Sequence, residues 1–90
     1  VVACISVNDP FVMGAWGKDR SAGEEVLMLA DGNAEFTSAV GLEMDGSGFG
    51  LGKRSQRYAM IIDDGVVSTL NVESGPSVDV SSAEAILAAL

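Results

Sequence analysis

Three of the five cations in this 90-residue sequence, Lys53, Arg54 and Arg57, crowd into one short stretch, and the last of them directly precedes an apolar segment starting at Tyr58. A guanidinium held at a strand end keeps its charge and offers a planar fork of donors, so it can stabilise an anion in a pocket at the edge of a sheet. Lys53 and Arg54 read more simply as solvated loop charges, and on local sequence alone Arg57 fits either reading. Cys4 lies in an apolar run, where a free cysteine behaves as a small buried hydrophobe. A reactive thiol needs a helix N-terminus or a cation beside it to lower its pKa, and the neighbours of Cys4 in sequence supply neither. Asp63 and Asp64 have the look of a paired acid site, but Gly65 follows them and a solvated turn is the simpler reading.

The glycine-rich stretch Gly46 to Lys53 invites a nucleotide site and fails on spacing. A phosphate-binding loop needs a glycine where Ser47 stands and a Ser or Thr where Arg54 stands. The dinucleotide fingerprint, with glycines two and then three positions apart, is not met by any triplet. Phe11, Trp16 and Phe36 recur at helical positions and read as core or interface, with no catalytic role.

The elements that must position these groups follow from periodicity. Val1 to Val7 is apolar and β-branched, as in a parallel strand buried on both faces. Asn8 or Asp9 can cap a helix, Pro10 suits its first position, and Phe11, Val12, Ala15 and Trp16 share a face. Lys18 to Glu25 reads as a loop and Val26 to Ala30 as a second strand. Past Asp31-Gly32-Asn33, the residues Phe36, Ala39 and Val40 mark a second helix that Gly41 stops. Gly46 to Gly52 reads as a loop. Tyr58 to Ile62 and Val66 to Val72 flank Asp63-Asp64-Gly65 and predict an antiparallel hairpin, because Asp-Gly tolerates the positive φ angles of a two-residue turn. Ser81-Ser82-Ala83-Glu84 matches a capping box pairing Ser81 with Glu84, ahead of a helix whose buried stripe is Ile86, Leu87 and Leu90. The order β-α-β-α-β-β-α is α/β and implies a mixed parallel and antiparallel sheet covered by helices.

Composition bounds the rest. A chain of this length, 48% hydrophobic, has room for one core and no second domain. The net charge of −8 leaves no cationic surface for a nucleic-acid backbone, and no apolar run approaches the ~20 residues needed to cross a bilayer. With one cysteine and no histidine, neither an internal disulfide nor a zinc site is expected, and a reducing, cytoplasmic setting is the default. The opening residues, Val1-Val2-Ala3-Cys4-Ile5, look like the inside of a strand, which suggests that more of the sheet lies upstream.

Taken in order, Ala3-Cys4-Ile5-Ser6-Val7-Asn8-Asp9-Pro10-Phe11, Trp16-Gly17, Met28-Leu29-Ala30-Asp31, Lys53-Arg54-Ser55-Gln56-Arg57-Tyr58-Ala59-Met60, Asp64-Gly65 and Leu70-Asn71-Val72-Glu73 resemble the type II peroxiredoxins over the whole chain. The resemblance implies a thioredoxin-like fold, present in part, and thiol-dependent reduction of hydrogen peroxide and alkyl hydroperoxides by a cysteine thiolate. It places Arg57 at the arginine that supports the thiolate and the peroxide. It also implies that the peroxidatic cysteine lies in a Pro-Thr-Cys-type segment upstream of Val1, because Cys4 aligns with a strand cysteine. Some relatives carry a resolving cysteine where this chain has Val80-Ser81-Ser82, so the implied reductant is an external thiol such as glutathione, glutaredoxin or thioredoxin. A homodimer is the expected assembly. These 90 residues are then the C-terminal part of one peroxiredoxin domain, inactive alone. The alternative is a non-catalytic half-domain that completes its sheet by pairing with another chain.

Overall fold

A computed structural model describes residues 1–90, which pack as two compact units, Val1–Ser55 and Gln56–Leu90. The first unit opens with a strand, a helix and a parallel strand. Strand β1 (Val2–Ser6) pairs in parallel with β2 (Val26–Ala30), Cys4 standing opposite Met28 and Ser6 opposite Ala30. Between them runs α1 (Pro10–Asp19). Its cap is Asp9, whose Oδ1 accepts from the Val12 amide at 2.8 Å, and Pro10 occupies the first turn where a missing N–H costs nothing.

The face that α1 buries is not the expected one. Met13 (1% exposed) and Gly17, one turn apart, are its buried residues, while Phe11 is 87% exposed and Val12 and Trp16 are also exposed. The aromatic periodicity is outweighed by close packing: a Cβ on Gly17 would stand 3.0 Å from Cγ of Met28, so the missing side chain lets α1 lie against β2. Strand β1 likewise departs from burial on both faces. Val2 and Ala3 are exposed and Cys4 to Ser6 half-buried, because β2 is its one partner strand here.

Helix α2 (Glu35–Ala39) begins after Ala34, which takes a left-handed φ of 57° and has no side chain to cap with. Asp31 supplies the cap instead. Its carboxylate, buried, accepts from the amides of Phe36 (3.1 Å) and Thr37 (2.8 Å) and from the Thr37 hydroxyl (2.7 Å). The Thr37 hydroxyl bond is the leading reason the Asp31 carboxyl titrates below its ordinary range.

The glycine-rich stretch is the tip of a hairpin that periodicity does not reveal. Strand β3 (Glu43–Asp45) pairs antiparallel with β4 (Lys53–Ser55), and the intervening residues hold a single 3₁₀ turn at Ser47–Phe49. Neither Glu-Met-Asp nor Lys-Arg-Ser has strand character of its own; long-range pairing imposes it. A Cβ on Gly46 would come within 2.9 Å of Leu51 Cβ and 3.0 Å of the Gly52 carbonyl, so glycine is required where the turn closes on itself.

In the second unit β5 (Tyr58–Asp63) pairs antiparallel with β6 (Val66–Val72) through Asp64 and Gly65, at φ 51° and 78°, the two left-handed residues of the expected Asp-Gly turn. The register slips by one between Ile61 and Ile62: Ile62 faces Val67 and Ile61 faces Thr69, leaving Ser68 as a bulge whose hydroxyl donates to the Ile61 carbonyl at 3.3 Å. Helix α3 (Ala83–Ala89) packs against β5. Its cap is Ser82, whose Oγ accepts from the Ala85 amide at 3.1 Å, so the Ser81–Glu84 capping box does not form. The expected stripe is also mostly open: Ile86 is half-buried, Leu87 is 66% and Leu90 80% exposed.

Both parallel and antiparallel pairing occur, as expected, but the strands of this chain hydrogen-bond in three separate pairs, not in one continuous mixed sheet. The buried apolar residues, Val7, Met13, Ala34 and Leu42, all belong to the first unit. No helix is long and apolar enough to cross a membrane.

Candidate functional site

Arg57 occupies the base of the second unit's hairpin, one residue before β5. The Glu73 amide donates to its carbonyl at 3.0 Å, extending the ladder one step past the Tyr58–Val72 pair, so Arg57 and Glu73 face each other across the hairpin. The chain beyond Glu73 then folds back onto that carboxylate. A single oxygen, Oε2, accepts from the Asp79 amide (2.7 Å), the Ser81 amide (2.8 Å) and the Ser81 hydroxyl (2.6 Å). The Ser81 hydroxyl is the largest cause, and the backbone amides of Asp79 and Ser81 follow, of a Glu73 carboxyl pushed down to about 2; partial burial acts in the opposite direction. A second clip, from the Asn71 side-chain amide to the Val80 carbonyl at 2.9 Å, holds the same loop.

Ser81 joins this loop to the arginine. It is 7% exposed, and its Oγ accepts from Arg57 Nε at 3.1 Å while donating its proton to Glu73. The guanidinium of an exposed arginine is thereby tied at Nε to a buried hydroxyl, itself tied to a carboxylate. Arginine has five N–H donors, four of them on its terminal nitrogens, which is the fork geometry that recognises a developing anion.

The remaining candidates resolve individually. Arg54 is not a solvated loop charge: it is half-buried, its terminal NH1 donates to the Val7 carbonyl (2.9 Å) and to Asn8 Oδ1 (3.1 Å), and its Nε donates to the Leu51 carbonyl (3.0 Å). It fastens the β3–β4 hairpin to the corner between β1 and α1. Lys53 remains an exposed cation, with Nζ 3.4 Å from the Ser38 hydroxyl. Cys4 is half-buried in β1, and Asp63 and Asp64 sit exposed at the hairpin tip. A concavity of about 610 Å³ beside α1 and β2 has Lys18, Ser21 and Glu24 among its lining and no cysteine.

Residues 1–87 match the family model described as Redoxin. The chain belongs to the redoxin family. Among curated proteins it is 55% identical, over its whole length, to Peroxiredoxin-2E, chloroplastic, of Arabidopsis thaliana, of which it covers 39%. It is 52% identical to Peroxiredoxin-2B of the same plant, with 99% of this chain and 55% of that protein aligned. Among solved structures, reduced Prx3 from Vibrio vulnificus in complex with H2O2 superposes with a TM-score of 0.93 at 68% identity, over 100% of this chain and 57% of that one. This redoxin chain is of the type II peroxiredoxin kind, its fold is the thioredoxin-like peroxiredoxin fold in part, and it spans about 40 to 55% of the curated relatives it matches.

Glu73 and Ser81 are the site residues that the sequence did not single out. Glu73 lies within the stretch that resembles the family, and Ser81 has the sequence of a helix cap. A signal for Glu73 was present in the hairpin, since the strand lengths bring it near Arg57, but the bulge at Ser68 decides which residue faces the arginine.

Proposed function

We propose that this chain is the C-terminal portion of a single thioredoxin-like domain in a thiol-dependent peroxidase that reduces hydrogen peroxide and alkyl hydroperoxides, with Arg57 in its active site. The observation that carries the reading is the arginine itself: a guanidinium at a strand end, anchored through Nε on buried Ser81, in a chain of the redoxin family. In this scheme a cysteine thiolate from sequence outside these 90 residues attacks one peroxide oxygen. An S–O bond forms as the O–O bond breaks, the cysteine is oxidised to sulfenic acid, and the leaving oxygen takes a proton and departs as water or alcohol. Arg57 favours the thiolate over the thiol by its charge and donates hydrogen bonds to the oxygen on which negative charge develops. The sulfenic acid is reduced by an external thiol, with glutathione, glutaredoxin or thioredoxin as the candidate donors. Without that cysteine the 90 residues are inactive by themselves.

A homodimer and a cytoplasmic setting belong to the same proposal. The setting rests on the reducing environment that a free thiol such as Cys4 suits, and a plastid is the competing location, given the chloroplastic names among the similar proteins.

The test is peroxide reactivity of the complete, reduced protein. Removing one preorganised donor to a developing oxyanion typically costs about 10²–10³ in rate. Arg57→Lys keeps the charge but loses both the fork and the Nε bond to Ser81, so a loss toward that range is expected in stopped-flow reaction with hydrogen peroxide. A wild-type rate constant in that variant excludes the role given to Arg57.

A further inference from the structure

We propose that Glu73, acting through the Ser81 hydroxyl, is the positioning residue that holds the guanidinium plane of Arg57, a role that rests on the peroxidase reading above. The argument is one of donor and acceptor arithmetic. Arginine has no acceptor, so Ser81 can meet Nε–H only with a lone pair of its oxygen. Serine has one hydroxyl proton, and it must therefore point elsewhere. Glu73 gives it a destination: Oε2 lies 2.6 Å from Ser81 Oγ, in the short range of an O–H···O⁻ bond, and an ionised carboxylate can only accept.

The same oxygen also takes the amides of Asp79 and Ser81, which fixes the carboxylate within the returning loop and places the Ser81 backbone. Glu73 is itself placed against Arg57 by its amide, which donates to the Arg57 carbonyl at 3.0 Å. The arginine is thus held at both ends by one residue, directly at its carbonyl and through a hydroxyl at Nε. A long side chain with four rotatable bonds loses much of its freedom when Nε is pinned, so less order has to be acquired when the terminal nitrogens meet a peroxide. Nothing in this chain of contacts requires Glu73 or Ser81 to touch substrate. Their effect passes through the arginine.

The experiment is a mutant cycle in the complete reduced protein, reading the second-order rate constant for hydrogen peroxide together with the Arg57 Nε–H resonance by NMR. Ser81→Ala and Glu73→Ala are each expected to slow the reaction about tenfold, the factor matching loss of one hydrogen bond to a charged group. Both should move the Nε–H signal and speed its exchange with water. Ser81→Thr keeps the hydroxyl and should restore most of the rate. In an Arg57→Ala background, Ser81→Ala should have no further effect, because the group it positions is gone.

Slowing by Ser81→Ala of the same size in both backgrounds would mean a general structural role and would overturn the proposal, as would a Ser81→Thr variant as slow as Ser81→Ala. Wild-type rates in Ser81→Ala and Glu73→Ala beside a slow Arg57→Ala would sink the positioning role and leave the peroxidase reading standing. A wild-type rate in Arg57→Ala would instead sink the peroxidase role of the arginine itself.

Discussion

Replacing Arg54 by methionine removes a guanidinium while keeping most of an unbranched stem that can cover the same apolar surface. Three hydrogen bonds go with it: NH1 to the Val7 carbonyl and to Asn8 Oδ1, and Nε to the Leu51 carbonyl. The Leu51 bond spans three residues and orders little. The other two bridge 47 and 46 residues, tying β4 to the end of β1, and Val7 is among the few buried apolar residues. Hydrogen bonds from a charged donor contribute about 1.5–3 kcal/mol each when water is excluded. Arg54 is half-buried, so water replaces part of each bond and brings each below that range, to about 1 kcal/mol; the two together should amount to about 2 kcal/mol. Equilibrium urea unfolding reads this as a lower midpoint at unchanged slope. Adding Asn8→Ala to Arg54→Met should show a coupling of about 0.5–1 kcal/mol, because the pair shares one bond. A destabilisation below about 0.5 kcal/mol, with no coupling to Asn8, would refute the view that Arg54 is a structural fastener and return it to the status of a solvated loop charge.

Two further outcomes follow from local geometry. Glu73 has a folded pKa of about 2 against an ordinary 4.5, so the unfolded chain binds its proton first; its stabilisation is complete above about 4.5 and is lost as pH falls toward 2. Melting temperatures from pH 6 to 2 should therefore fall more steeply for the native protein than for Glu73→Gln, and parallel curves would count against the carboxylate clip. Gly65 at φ 78° lies where a Cβ is strained, so Gly65→Ala should destabilise by about 1 kcal/mol in urea unfolding, and a neutral result would mean that the turn readily adopts another geometry.

Much of the local structure was legible in the chain because its causes are local. Asp9-Pro10 announces the start of α1 through the orphan amides of a first turn, and Asp64-Gly65 announces a two-residue turn through the φ angles those residues tolerate. The family resemblance, spread over residues from Ala3 to Glu73, likewise needs only the order of side chains. Local rules failed where a distant group outbid them. Ser81 has the sequence of a capping residue, yet its hydroxyl is taken by Glu73 and Arg57, and Ser82 caps α3 in its place. Lys53-Arg54-Ser55 has no strand signal and becomes β4 by pairing with Glu43–Asp45.

Arg57 marks the boundary between the two kinds of information. Its position before an apolar strand, its permanent charge and its family resemblance are all contained in the sequence. What faces it is not. The Asp-Gly turn with uninterrupted pairing would set Val72 opposite Arg57, and because side chains alternate along a strand, a slip of one residue exchanges the two faces of β6. The bulge at Ser68 makes that slip and brings Glu73 opposite the arginine, after which the returning loop delivers Ser81. A bulge is settled by how two strands pack over their whole length, and the Ser81 contact by closure of a loop, so tertiary structure alone decides how the arginine is held.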